Sequence, residues 1–211
     1  MELILMSIIV YFSGFWGVVE LAGTIFSIIC VVLAARHNQW TWFFGALGVI
    51  CFGFLFFEFT LYSDAGLQFL FFLPLQLWGF IYWRKLSSET NNPVVTKSLA
   101  LPQIYSIVFA IIALALINGF LMTTFTTDVS FPYMDAFTTW MSVFAQILMI
   151  GKYWQSWAIW TSMNIMAIYI YFAKGLFVVS GLYVVFLIIA IFGMIKWRQD
   201  YLNSQKQKVI D

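Results

Sequence analysis

The chain is organised around one stretch inside a long apolar segment, Trp157-Ala158-Ile159-Trp160-Thr161-Ser162-Met163-Asn164. On a helix, residues three and seven positions apart share a face, so Trp157, Trp160 and Asn164 are expected to face the same space. Indoles hold flat or cationic rings by stacking and cation–π attraction, and an amide fixes polar substituents by hydrogen bonds. The spacing therefore indicates a binding site for a flat ring with polar edges. The alternative is that the two tryptophans anchor a helix end at a membrane interface.

The composition is that of a polytopic membrane protein. Apolar residues make up 63% of the 211 residues and charged residues only 9%, which excludes a soluble enzyme. The formal net charge of +1 leaves no basic surface for nucleic acid. Cys30 and Cys51 lie in apolar runs and are interpreted as packing residues, and the single histidine, His37, follows Arg36 in a polar connection. No metal or cofactor site is therefore predicted.

Seven segments are apolar over about 20 residues, the length that a spanning helix needs. They cover residues 18–35, 41–59, 65–83, 100–122, 134–151, 156–173 and 175–195. The first 16 residues fit either an extra peripheral span or an interfacial helix, and they lack the features of a signal peptide. The predicted organisation is an N-terminal peripheral apolar segment (1–16), a first three-helix repeat (17–84), a polar cytoplasmic linker (85–99), a connecting transmembrane helix (100–122), a second three-helix repeat (134–198) and a cytoplasmic tail (199–211).

The two repeats are visible as a shift along the chain. Adding 115 to a residue number pairs Glu20 with Asp135, Thr24 with Thr139, Ser27 with Ser142 and Trp42 with Trp157. At an offset of 114, Gly79-Phe80-Ile81-Tyr82-Trp83-Arg84 pairs with Gly193-Met194-Ile195-Lys196-Trp197-Arg198. Because a single span separates the copies, both begin on the same side of the membrane. The sequence predicts an all-α, seven-helix core of the three-plus-one-plus-three type, with parallel repeats.

The distribution of charge predicts the orientation. Threading seven spans puts nine basic residues on one side: Arg36, Arg84, Lys85, Lys97, Lys152, Lys196, Arg198, Lys206 and Lys208. Since Lys and Arg near span ends are retained in the cytoplasm, the C-terminus is predicted to be cytoplasmic. The opposite side collects Glu20, Glu58, Asp64, Asp128 and Asp135, beside Lys174. An acidic outer mouth favours a cationic solute.

Polar side chains form further candidate positions inside the spans. Asp135, Thr139, Ser142 and Gln146 fall at i, i+4, i+7 and i+11, so they form one stripe that is expected to face a cavity. Asp135 is explained equally well as an acid at the start of a helix. The third span contains Gln68, Gln76 and Pro74, and Pro74 is expected to bend it. Each buried glutamine must meet another helix, water or a ligand, and hydrogen bonding between helices is the alternative.

At these residues the sequence resembles the PnuC family of bacterial nicotinamide riboside transporters. The resemblance rests on Trp157-x-x-Trp160-x-x-x-Asn164, Lys174-Gly175-Leu176, Asp64-Ala65-x-x-Gln68 and the two Gly-x-x-x-Trp-Arg endings. It implies a fold similar to SWEET sugar transporters, assembled as a homotrimer in the bacterial inner membrane. It also implies uptake of nicotinamide riboside by facilitated diffusion, made directional by phosphorylation inside the cell.

The resemblance implies that Trp157, Trp160 and Asn164 bind the substrate, with Gln146, Gln68 and Gln76 as weaker candidates. The residues agree in type, because nicotinamide riboside carries a pyridinium charge, a carboxamide and hydroxyls. These groups suit an indole pair flanked by amides and by small hydroxyls such as those of Thr139 and Ser142. No carboxylate with a basic partner is expected at mid-depth, which favours a uniporter over a proton-coupled carrier.

Three alternatives compete with this interpretation. Thiamine is also aromatic and cationic, so a related transporter of another aromatic vitamin fits the same residues. A non-transporting membrane scaffold would use the polar stripes to join helices. A membrane-embedded enzyme would need a nucleophile with a base or a metal cluster, and the sequence contains neither in a shared plane.

Overall fold

The structure is a computed structural model that describes residues 14–59, 65–89, 96–125, 131–173 and 177–210. Within these ranges the chain forms seven helices: α1 (Phe15–Ala35), α2 (Thr41–Glu58), α3 (a π-helical turn, Leu67–Phe72, continued by the α-helix Leu73–Glu89), α4 (Leu101–Phe125), α5 (Pro132–Ile150), α6 (Gln155–Ala173) and α7 (Phe177–Ile210). The all-helical class predicted from the composition is confirmed. Residues 1–13 of the predicted peripheral segment lie outside the described residues, as do Asp64, Asp128 and the 174–176 connection.

Four of these helical stretches are long and apolar enough by themselves to cross a membrane. They are Phe15–Ala35, Thr41–Glu58, Leu101–Phe125 and Val179–Gln207. The other three helices, α3, α5 and α6, carry the glutamines, the hydroxyl stripe and the asparagine singled out in the sequence. Polar side chains in membrane helices are retained where they meet protein, water or solute. These three helices therefore carry the polar residues that the sequence indicates as candidates.

The chain divides into two compact units, Met1–Asn91 and Asn92–Asp211. In the first unit, α2 packs against both α1 and α3. In the second unit, α6 packs against both α5 and α7, and α4 packs against α5. Each unit therefore contains three consecutive helices of which the middle one contacts the other two.

The units also share a local backbone motif at the end of their first repeat helix. In α1 and in α5 the last turn closes with a six-to-one and a five-to-two hydrogen bond, the Schellman arrangement. In α1, Asn38 N–H donates to Leu33 C=O and His37 N–H donates to Ala34 C=O, both at 3.0 Å. In α5, Tyr153 N–H donates to Leu148 C=O at 3.0 Å and Lys152 N–H donates to Met149 C=O at 3.1 Å. The left-handed residue that this motif requires is His37 (φ 56°) in one unit and Lys152 (φ 63°) in the other. These residues stand 115 apart, the offset found in the sequence.

The irregularity expected at Pro74 takes the form of a π-helical turn. The N–H of Leu73 donates to the C=O of Gln68, five residues earlier, instead of four. Pro74 has no N–H to donate, and its ring would clash with the carbonyl of Leu70 in a regular α-helix. Widening the preceding turn relieves that clash, and π-turns of this kind are found mostly within helices, often at functional sites.

The last helix is longer than the predicted span. α7 runs for 34 residues to Ile210, about 50 Å at the rise of an α-helix. The sequence predicts a span ending at residue 195 and a tail over 199–211. The structure continues the helix without a break through that tail, because Gln, Lys, Arg and Leu are all good helix formers.

Candidate functional site

The indole of Trp157 is used in packing within the second unit. Trp157 lies in the first turn of α6, is 1% exposed, and meets Trp197 of α7 edge to face, with ring centroids 5.7 Å apart. Its ring covers Gly193, where an added Cβ would lie 2.7 Å from Cδ2. The close approach of α6 and α7 at this point therefore depends on a glycine. We call Trp157, Gly193 and Trp197 the second Trp–Gly–Trp cluster.

The first unit contains the same arrangement. Trp42 in the first turn of α2 is 2% exposed and meets Trp83 of α3 edge to face, at 5.2 Å between centroids. A Cβ added at Gly79 would lie 2.4 Å from the Trp42 ring. Trp42, Gly79 and Trp83 form the first Trp–Gly–Trp cluster. The matching residues that the offsets of 114 and 115 identified in sequence are thus packing partners in each unit.

Trp160 and Asn164, one and two turns further along α6, lie in a different environment from Trp157. Trp160 is only half-buried, and among the described residues no aromatic ring pairs with it. Its Nε1 is buried without a hydrogen-bond partner in the part of the chain described here. Asn164 is 3% exposed, so α6 holds a carboxamide in an otherwise apolar interior. An unpaired indole next to a buried amide retains both the stacking surface and the donors that a polar aromatic ring needs.

The stripe on α5 divides into hydroxyls bonded to their own helix and one buried amide. Thr139 Oγ1 donates to the Asp135 carbonyl at 2.9 Å, and Ser142 Oγ donates to the Thr139 carbonyl at 2.7 Å. Because each hydroxyl hydrogen is already donated, a further partner can bind mainly to the acceptor lone pairs of the hydroxyl oxygen. Gln146 is 7% exposed and keeps both donor and acceptor functions. Asp135 lies in the first turn of α5, which agrees with its role at a helix start.

In the first unit, Gln76 packs against a glycine of the neighbouring helix. Gln76 is 7% exposed, and a Cβ added at Gly45 of α2 would lie 2.5 Å from its Oε1. That Oε1 is buried and has no hydrogen-bond partner among the described residues. Gln68 is half-buried in the π-helical turn, where its carbonyl accepts the N–H of Leu73. Gln76 is thus the more buried of the two glutamines and the one with an unsatisfied acceptor.

The two units differ at the positions equivalent to this contact. The offsets of 115 and 114 pair Gly45 with Trp160, and Gln76 with Ala190. The small residue lies on the middle helix in the first unit and on the last helix in the second, where Ala190 is 1% exposed. The repeats therefore share the Trp–Gly–Trp cluster. One helical turn away from it, the large and the small residue lie on opposite helices in the two repeats. This exchange was not predicted from the sequence, although the repeat offsets contain it.

Sequence reasoning also missed the junction that fixes the start of α6. Ser98 Oγ accepts hydrogen bonds from Trp154 Nε1 at 3.2 Å and from Gln155 Nε2 at 2.9 Å. The Lys97 N–H donates to the Lys152 carbonyl at 2.8 Å, and the Trp154 N–H donates to the Lys97 carbonyl at 3.1 Å. We call this set the Ser98 junction. It ties the segment before α4 to the turn from which the Trp–Asn helix begins.

Lys152 lies beneath the second Trp–Gly–Trp cluster. The residue is 1% exposed, and its ammonium lies 5.8 Å from the centroid of the Trp197 ring. Burial lowers the pKa of Lys152 from 10.5 to about 7. Attraction to the indole face favours the charged form and offsets part of that desolvation. The end of α5 thus contains a titratable group near neutral pH, outside the helices themselves.

A model of the family described as nicotinamide mononucleotide transporter matches residues 17–199. The chain belongs to this family. The resemblance found in the sequence is confirmed, and the first 16 residues lie outside the match. The family is one of transporters rather than enzymes. Among the described residues, no group of three His, Cys, Asp or Glu side chains is placed to hold a metal.

Several relatives resemble the chain over most of its length. The nicotinamide riboside transporter PnuC of Escherichia coli K12 is 26% identical over 213 residues, covering 90% of this chain and 87% of that protein. The nicotinamide riboside transporter PnuC of Neisseria mucosa is 28% identical over 183 residues, covering 82% of this chain and 68% of the relative. A crystal structure of the vitamin B3 transporter PnuC matches with a TM-score of 0.72 and 26% identity, covering 92% of this chain and 86% of that chain.

Proposed function

We propose that this protein takes up nicotinamide riboside across the bacterial inner membrane by facilitated diffusion with alternating access. The observation that carries the proposal is the pairing, on α6, of an indole without an aromatic partner and a buried carboxamide. The names of the family relatives support the substrate. The helices that carry the candidate residues contain few charged side chains. This composition suits a solute that does not need several charged side chains to bind it.

The substrate chemistry matches the second unit group by group. Trp160 offers its face to the pyridinium ring, for which stacking and cation–π attraction act together. Asn164 and Gln146 offer donors and acceptors to the carboxamide and the ribose hydroxyls, and Thr139 and Ser142 add acceptors. For Trp157, its packing on Gly193 supports an indirect role in which it holds α6 in place. Direct contact of Trp157, Gln68 or Gln76 with the substrate stays a prediction.

The absence of cations in α5 and α6 favours the riboside over the mononucleotide of the family's description. A phosphate group brings up to two negative charges, and proteins bind it with Arg, Lys or helix N-termini. Residues 132–150 and 155–173 contain no Lys or Arg. A cationic nucleoside without a phosphate needs no basic side chain on these helices, whereas the phosphate of the mononucleotide would find no Lys or Arg there.

We further propose a three-plus-one-plus-three architecture with parallel repeats, a cytoplasmic C-terminus and a homotrimeric assembly. The equivalent Schellman ends and Trp–Gly–Trp clusters support two copies of one three-helix unit. Since α4 alone separates them, both copies start on the same side of the membrane. The basic residues at one set of helix ends support the orientation. The trimer rests on the family resemblance.

Binding to the detergent-purified protein, measured by titration calorimetry, tests the substrate and the site together. The ligands are nicotinamide riboside, its mononucleotide, thiamine and neutral nicotinamide. We expect nicotinamide riboside to bind tightest and Trp160→Ala to weaken it by about 1 to 2 kcal/mol through lost stacking and cation–π contact. Trp40→Ala is the matched control, because Trp40 is 50% exposed outside the candidate site.

The outcomes separate the hypotheses. A preference for thiamine would keep the aromatic site and overturn the substrate. Tightest binding of the mononucleotide would refute the charge argument. Wild-type affinity in Trp160→Ala would remove that residue from the site, and binding of none of the four ligands would favour the scaffold interpretation.

A further inference from the structure

The second unit contains a groove that the proposed transport site does not use. It has a volume of about 220 Å³ and is lined by Trp154, Met194, Ile195, Arg198, Gln199 and Leu202. It lies where the apolar run of α7 gives way to its charged end, since Lys196 is the first basic residue after a long hydrophobic stretch. Such a position corresponds to the boundary between hydrocarbon and headgroups.

The polar end of the groove is held in place by the Ser98 junction. The Trp154 indole N–H donates to Ser98 Oγ at 3.2 Å, which fixes the plane of the ring. The Arg198 guanidinium lies over that ring, with Cζ 5.7 Å from its centroid. A guanidinium stacked on an aromatic face still directs its N–H donors outward in the plane, where they match phosphate oxygens. Arg198 is exposed, so an anion in solution or in a membrane reaches those donors.

The other end of the groove is apolar and open. On α7, Met194, Ile195 and Arg198 share one face of the helix, because they lie three and four positions apart. Ile195 is 47% exposed, and its neighbour toward the membrane interior, Ile191, is 38% exposed. A ligand that fits this surface has an anionic head at Arg198 and a hydrocarbon part along Met194 and Ile195.

We propose that this groove binds an anionic phospholipid of the cytoplasmic leaflet, with its phosphate on Arg198 and an acyl chain along Met194 and Ile195. The choice of leaflet rests on the orientation proposed above. Gln199 also lines the groove and adds an amide that can bond to the hydroxyls of a headgroup. Basic pockets at the cytoplasmic ends of membrane helices recognise anionic lipids in this manner. The bound lipid would brace α7 against Trp154, and through it the start of α6.

The test compares lipids with matched acyl chains on the purified full-length protein. Phosphatidylglycerol, phosphatidylcholine or inorganic phosphate is added to the protein in a non-ionic detergent, and thermal unfolding and retained lipid in native mass spectrometry are recorded. We expect phosphatidylglycerol alone to raise the unfolding temperature and to be retained, because a ligand of the folded state stabilises it by mass action. Phosphatidylcholine and inorganic phosphate are expected to leave it unchanged.

Two charge variants of one helix provide the matched comparison. Arg198→Ala is expected to weaken phosphatidylglycerol binding by about tenfold, the loss typical of a charge-assisted hydrogen bond. Lys196→Ala removes the same charge from an exposed residue two positions away, on the other side of α7, and is expected to keep the lipid preference. Circular dichroism and binding of nicotinamide riboside check that each variant is folded.

Several results would overturn the proposal. Equal effects of the two lipids would remove the anionic specificity, and an equal loss in both variants would reduce it to general attraction between charges. An effect of inorganic phosphate that matched the lipid would assign the site to a free anion. If Arg198→Ala fails to fold, Arg198→Lys decides, because it keeps the charge and loses the planar fork. Undiminished preference in Arg198→Lys would refute the role of the guanidinium.

Discussion

Gly193 is the residue on which the packing of Trp157 depends. Replacing it by Ala puts a Cβ 2.7 Å from a buried indole that has no room to move. We expect Gly193→Ala to lower the free energy of unfolding by about 1 to 3 kcal/mol, the usual cost of overpacking a core. The measurement is thermal unfolding in detergent.

The control for this change lies on the same helix. Gly181 of α7 is exposed, and a Cβ there would meet nothing within 4 Å. Gly181→Ala should therefore be neutral or stabilising by up to about 1 kcal/mol, because Ala is the better helix former. Equal effects of the two substitutions would mean that the glycine does not set the helix spacing.

Lys152 predicts a dependence of stability on pH. Its pKa is about 7 in the folded protein and 10.5 ordinarily, so between these values the unfolded chain holds a proton that the folded chain lacks. Stability should consequently rise with pH across this window, and the cost of burying the charge should be fully present below about pH 7. Unfolding temperatures between pH 6.5 and 10 measure the slope.

Variants separate Lys152 from other groups that titrate in the same range. Lys152→Met keeps much of the apolar stem and should flatten the slope, whereas Lys206→Met, which changes an exposed residue, should leave it intact. A slope in Lys152→Met as steep as that of the wild type would assign the pH dependence to another group.

At the residue scale, the sequence identified which side chains are unusual but not what they touch. Asn164 and Gln146 stand out because burying an amide in an apolar helix costs free energy unless the amide is hydrogen-bonded. The face that carries Trp157 was also visible from helical spacing. Its partner Gly193 was not, because the contact joins residues far apart in the chain and depends on how closely two helices approach.

At the scale of elements, the Ser98 junction predicts that a single hydroxyl fixes the start of α6. Ser98→Ala leaves the Trp154 Nε1 and the Gln155 Nε2 without their acceptor. We expect a loss of about 1 to 2 kcal/mol in the free energy of unfolding, because two partly buried donors lose their acceptor and bear part of their desolvation cost.

Ser106→Ala provides the comparison for the junction, measured by the same thermal unfolding. Ser106 is exposed on α4 and donates only to the Pro102 carbonyl of its own helix, so its loss should change stability by no more than about 0.5 kcal/mol. A Ser98→Ala protein as stable as Ser106→Ala would show that the junction is incidental to the packing of α6.

Helix positions were predictable, and helix irregularities were not. The spans predicted over 100–122, 134–151 and 156–173 appear as Leu101–Phe125, Pro132–Ile150 and Gln155–Ala173. Apolar length determines such boundaries because the bilayer has a fixed thickness. The π-helical turn before Pro74 and the extension of α7 to Ile210 depend instead on local backbone hydrogen bonds and helix propensity. A hydropathy profile detects neither of these.

On the scale of the whole molecule, the offsets of 114 and 115 carry structural information at several levels. They relate the Schellman ends, the Trp–Gly–Trp clusters and the exchange of Gly45 and Gln76 for Trp160 and Ala190. The two copies share the packing cluster and differ one helical turn away from it. This difference would allow one copy to bind the substrate while both keep the same helix packing.

Facilitated diffusion makes a specific prediction for the driving force. The carboxylates Glu20, Glu58 and Asp135 lie near helix ends, so among the described helices none of them forms a proton relay at mid-depth. Nicotinamide riboside is a cation, and its uniport should therefore respond to the membrane potential and not to a pH gradient. An inside-negative potential of about 100 mV contributes about 2.3 kcal/mol per charge, roughly fiftyfold in accumulation.

Proteoliposomes with imposed ion gradients test this prediction. With potassium and valinomycin setting the potential, uptake of radiolabelled nicotinamide riboside should rise when the interior is negative, and a pH gradient at zero potential should have no effect. Trp160→Ala liposomes serve as the matched control, because they retain the bilayer and the gradients but lose the proposed stacking residue. Accumulation driven by a pH gradient at zero potential would instead establish proton coupling, and would turn attention to Asp135 and Glu20 as the groups that bind the proton.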